Sequence, residues 1–195
     1  MSANTLLISV DILKERTSIH GNLDPKLVYP DIKYAQDSYI LPLLGTALFN
    51  KLQSIIADGT ITTNVANAAY KALLDTYIID AMIYYTFAEL QLSVSYQTWN
   101  KGVSRKAGQD MENPSMSEII DLFNRYKNRA ENYANRAKAY LIANASSTNC
   151  PEYLNPGSSS DTVTPEQRAF TMPIYLGDDD SCCNGPSWRN KPYSE

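Results

Sequence analysis

SMSEIIDLFNRYKNRAENYANRAKAYLIAN, residues 115–144, decides the fold. Ile119, Phe123, Tyr126, Ala130, Tyr133, Ala137 and Tyr140 recur at steps of four and three, the repeat that places side chains on one face of an α-helix. Pro114-Ser115, with Ser117 before Glu118, marks the start. Alternating tyrosine with alanine lets bulky and small side chains interdigitate against a second helix.

That second helix is predicted over about 64–97, where Tyr70, Leu74, Tyr77, Ala81, Tyr84 and Ala88 keep the same spacing. Leu73, Ile78, Tyr85 and Leu92 widen the apolar stripe, which suits the middle of a bundle. Residues 99–113 carry two glycines and no periodicity and read as a long loop. Upstream, Ser9 caps a short helix over 10–16, and Asp24-Pro25 opens a longer one through Leu27, Ile32, Ala35, Tyr39 and Leu43. Pro42 predicts a kink or break there. A restart at Gly45-Thr46 runs through Leu48, Leu52 and Ile55 to a stop at Asp58-Gly59. The expectation is an all-α fold: a small helical bundle, residues 1–145, with two long antiparallel helices as its spine.

Beyond Ala145 the composition changes. Six of the ten prolines lie in residues 146–195, and apolar residues are confined to a few clusters. This reads as an extended, acidic, Pro-rich C-terminal arm that orders by docking. Pro151-Glu152-Tyr153 reads as an anchor onto the bundle, and Phe170–Leu176 as one short strand. Lys and Arg number 17 against 21 Asp and Glu, a net charge of −4. Residues 1–145 hold 14 of each sign, so all the net charge sits in the arm. A neutral body does not grip phosphate backbones by bulk charge. The N-terminus lacks a basic region and Asp11 breaks its apolar stretch, which argues against a signal peptide, and no run has membrane-spanning length. Cys150, Cys182 and Cys183 form neither a disulfide framework nor a zinc spacing.

Few residues suggest chemistry. His20, the only histidine, sits in a turn beside Gly21 without a nucleophile nearby. Asp178-Asp179-Asp180 lacks the alternating ligands of a calcium loop, so no metal and no cofactor is assigned. Tyr84, Tyr85, Glu89 and Trp99 are the best place for a ligand-binding or enzyme site, yet Glu89 has no second ligand at i+3 or i+4. Arg125, Lys127, Arg129, Arg136 and Lys138 read as the solvated face of the last helix. Lys101, Arg105 and Lys106 form a basic cluster that suits a DNA channel or a neighbouring subunit. Tyr153, Phe170, Met172, Ile174, Tyr175, Leu176, Trp99 and Trp188 are the candidate partner-binding residues, because loops and tails give aromatic and apolar groups nothing intramolecular to bury against.

The stretch LLISVDILKERTSIHGNLDPKLVYPDIKYAQDSYILPLLGTALFNKL, residues 6–52, resembles the head-to-tail connector or adaptor proteins of tailed phages, with SYQTWNKGV, NCPEY and MPIYLG further along. The likeness is to the group found in phages of Bacteroidetes hosts, including crAss-like phages. It implies a non-enzymatic virion protein, made in the host cytoplasm, that forms a homo-oligomeric ring, usually dodecameric, at the neck between portal and tail. It further implies a portal protein and other tail or neck rings as partners, packaged DNA passing through without sequence recognition, and no membrane. A more distal tail ring or stopper is the alternative within the same virion, and a bacterial interaction protein the alternative outside it. Residues 170–176 are the segment suited to adding a strand to a partner sheet.

Overall fold

The computed structural model describes residues 5–99, 102–105, 114–157 and 162–165, with backbone alone over 96–105. The described chain is an all-α bundle carrying one short pair of strands. In order, α1 spans Val10–Arg16, α2 Pro25–Ala35, α3 Leu41–Leu44, α4 Thr46–Ala57, α5 Ala68–Leu73 and α6 Ile79–Ser95. Strands β1 (Tyr96–Trp99) and β2 (Gly102–Arg105) follow, then α7 (Met116–Asn144) and α8 (Pro151–Leu154).

The local signals act where the sequence puts them. Ser9 Oγ accepts from Ile12 N at 3.2 Å and Asp24 Oδ1 from Lys26 N at 2.9 Å, each satisfying a first-turn N–H. Ser115 and Glu118 close a reciprocal capping box that starts α7. His20 is a turn residue: its Nδ1 accepts from Asn22 N and its carbonyl from Leu23 N.

Pro42 does not break its helix. Gln36–Ile40 widens into a π turn, closed by Leu41 N donating to Gln36 O, and α3 continues from it to Leu44. A proline lacks its N–H and its ring crowds the carbonyl four residues back, and a wider turn upstream relieves both. The run ends at Gly45, whose φ of 77° and ψ of 157° suit glycine. A second π turn, Leu74–Ile78, joins α5 to α6, so residues 68–95 form one continuous helical rod. The rod stops two residues short of the expected end, and α7, with 29 residues, is the longer helix. The end of the expected helix and the start of the expected loop form instead the antiparallel pair β1–β2, in the register Tyr96↔Arg105 to Trp99↔Gly102.

Helix α6 is the centre, packed by α2 on one side and α7 on another. Ile79, Ala81, Met82, Ile83, Phe87, Ala88 and Leu90 are all buried, which is why its apolar residues run around most of the helix. From α7, Ala130, Ala134, Ala137 and Leu141 form the buried seam, and small side chains there allow close approach. Gln36, fully buried, pins the N-terminal segment: its Oε1 accepts from Leu7 N at 2.9 Å and its Nε2 donates to Thr5 O at 3.2 Å.

The arm does not leave the body at residue 146. Tyr153 is 1% exposed, inside the core against α4, and Glu152 accepts from Tyr70 Oη at 2.7 Å. The anchor reading of residues 151–153 therefore describes the fold, and the assignment of Tyr153 to partner binding is corrected: this side chain has its own bundle to bury against. Further on, Val163 O accepts from Thr46 N at 3.0 Å and Val163 N donates to Thr46 Oγ1 at 2.9 Å. Gly45, the residue before α4, has no side chain to cap it, so the arm caps α4 from outside.

Candidate functional site

The spine is held by ring pairs. Tyr77 stacks on Tyr140 with centroids 4.4 Å apart, Tyr84 on Tyr133 at 5.5 Å, and Phe87 meets Tyr126 at 4.5 Å. Rising positions on the α5–α6 rod meet falling positions on α7, which makes the two helical runs antiparallel. The tyrosines stand half-buried at the flank of the alanine seam, so the rings pair with each other instead of filling gaps between alanines.

The cations of α7 do more than face solvent. The Arg136 guanidinium lies 5.9 Å from the Tyr77 ring and 5.8 Å from the Tyr133 ring, and that of Arg129 lies 5.5 Å from Tyr126. Lys127 Nζ sits 5.7 Å from the Tyr39 ring. Exposed cation–π contacts of this kind contribute about 0.5–1 kcal/mol each. Arg129, Asn132, Tyr133 and Arg136 line one wall of an open groove of about 360 Å³ whose other wall is Tyr84. Neither arginine has an ion pair among the described residues.

On the opposite flank of α6 a polar cluster forms that was not visible in the sequence. Tyr39 stacks on Tyr85, centroids 4.2 Å apart, and its hydroxyl donates to Glu89 Oε1 at 2.6 Å. Ser93, one turn along, donates to Asp31 Oδ1 of α2 at 2.8 Å, while Asp31 Oδ2 is buried with no hydrogen-bond partner among the described residues. Burial raises the Asp31 pKa, the Ser93 hydrogen bond lowers it and the negative charge of Glu89 raises it, with a net upward shift. Burial, then the bond to Glu89, also raises Tyr39, and burial with the charge of Glu131 pushes Tyr85 up to about 12.

The expected grouping of Tyr84, Tyr85, Glu89 and Trp99 thus divides. Tyr85 and Glu89 share the polar cluster, Tyr84 faces the arginine groove on the other side, and Trp99 is placed by backbone only. Asp31, the missing second carboxylate, comes from another helix. Among the described residues no three His, Cys, Asp or Glu side chains gather to hold a metal ion. Nor is any described helix long and apolar enough to cross a membrane. Lys101, Lys106, Phe170, Met172, Ile174, Tyr175, Leu176, Trp188 and the strand expected over 170–176 lie outside the described residues, and Arg105 is placed in β2 by backbone only.

A family model described as a family of unknown function, DUF6712, matches residues 40–163. It covers the rod, the strand pair, α7 and α8, and ends on the residue that caps α4. No curated protein and no solved structure matches the chain.

Proposed function

The chain belongs to the DUF6712 family, a family of unknown function, and we propose for it a structural role: a virion head-to-tail adaptor that forms a ring between portal and tail and lines the DNA conduit. The observation that carries this reading is the spine. Helix α7 alone, at 29 residues, extends about 44 Å at 1.5 Å per residue, and stacked rings brace it along the rod. Met116 and Ile120 at one end and Ile142 at the other are 47%, 42% and 39% exposed, apolar contacts of the kind that side-by-side copies bury. The connector-like stretches of residues 6–52 support the same reading. A ring gains by multivalency what one weak contact lacks.

The test is sedimentation velocity on the full chain, alone and with the portal protein from the same genome. A stoichiometric ring complex supports the adaptor role. A monomer indifferent to the portal refutes it and moves weight to a more distal tail ring.

A further inference from the structure

The groove between Tyr84 and α7 holds two exposed guanidiniums one heptad apart, Arg129 and Arg136, and no described carboxylate meets either. A planar fork of N–H donors without an acceptor is suited to a carboxylate. We propose that this groove takes Asp178-Asp179-Asp180 of the chain's own arm.

Three observations carry the assignment. The first is charge: the body is neutral, the arm holds the whole net charge of −4, and 178–180 is its densest acidic run. The second is where the described chain ends. Thr164 lines the groove on the other flank of α7, beside Asn135 and Lys138, and Pro165 is buried at Gly45. The arm therefore sets out next to α7, and Asn135 is one turn from Asn132 of the arginine groove. The third is reach. Asp178 lies thirteen residue steps beyond Pro165, a length that extends up to about 43–47 Å, against about 10 Å of helix rise between Arg129 and Arg136. Tethering makes the contact intramolecular, so weak ion pairs suffice. The pairs are solvent-facing and weaken with added salt.

The native cysteines supply the probe. Cys150 is 3% exposed and burial, with the charge of Glu152, pushes its thiol up to about 11, so a nitroxide reagent at neutral pH passes it by. In full-length chain carrying Cys183→Ser, a nitroxide on Cys182 should erase most of the amide signal of residues 129–136 and of Tyr84. Neutralising the acids with Asp178→Asn, Asp179→Asn and Asp180→Asn should restore it, and so should high salt; these changes lie outside the described fold and leave it intact. Broadening centred elsewhere, or unmoved by neutralisation, overturns the proposal. Broadening of an isotope-labelled, nitroxide-free chain by a second, nitroxide-bearing chain would show the arm reaching a neighbour and overturn the intramolecular contact. Duplex DNA shifting these amides in a parent chain without nitroxide broadening would assign the groove to phosphate and overturn it too.

Discussion

Replacing Gly45 with alanine tests the docking of the arm through a single methyl group. The added Cβ has two costs. Gly45 has φ 77° and ψ 157°, a region essentially reserved for glycine, and holding alanine there costs about 1–3 kcal/mol. The same Cβ falls 2.5 Å from Pro165 Cδ and 3.1 Å from Val163 O, a ring fused to backbone and a backbone atom, neither able to swing aside. Displacing them forfeits the two hydrogen bonds between Thr46 and Val163, worth about 0.5–1.5 kcal/mol each. The total is about 2–6 kcal/mol in the full chain. In a chain ending at residue 157 only the conformational cost remains, about 1–3 kcal/mol. Denaturant unfolding of the four proteins of this cycle gives a coupling of about 1–3 kcal/mol, read from midpoints at constant m. An equal cost in both backgrounds would refute the contact between Gly45 and the arm.

Tyr153→Ala should lose about 3–5 kcal/mol in the same assay, whereas Leu154→Ala, 46% exposed next door, should stay within about 1 kcal/mol. For the same reason, cutting the chain at residue 145 removes core, and a truncation meant to leave the body intact belongs after Pro165. Asp31 gives a pH signature. Its folded pKa lies above its unfolded value of 3.8, so the folded state binds the proton more tightly and stability falls as pH rises from that value through the folded pKa. Asp31→Asn should therefore raise the unfolding midpoint at pH 7 and leave it nearly unchanged at pH 3; a destabilisation at pH 7 exceeding that at pH 3 would contradict this.

Much of the body was legible because its signals are local. Ser9, Asp24-Pro25 and Ser115 with Glu118 cap helices within one turn of themselves, and the steps of four and three on α7 depend on no other segment. What escaped notice depends on distance or on shortness. Asp31 feels the charge of Glu89 from a different helix, so a search at i+3 and i+4 from Glu89 finds nothing. The four-residue strands of β1–β2 are too short for alternation to rise above the glycines around them. Arg129 and Arg136 sit on the polar side of a helical wheel, and only the packing of α7 beside Tyr77, Tyr84 and Tyr126 brings rings beneath them. Tyr153 looked unburied because it packs against α4, about a hundred positions upstream.

The cap on α4 sets an order in time. Thr46 and Val163 are 117 residues apart, and at synthesis rates of about 5–20 residues per second the helix waits roughly 6–23 s for the group that closes its first turn. During that interval the rod and α7 emerge and can pair, since their repeats are local to two neighbouring segments. Thr46 keeps a bare N–H throughout. The last described residues thus complete the molecule, and a nascent chain halted before residue 163 carries an open first turn at Gly45 however well its spine has formed.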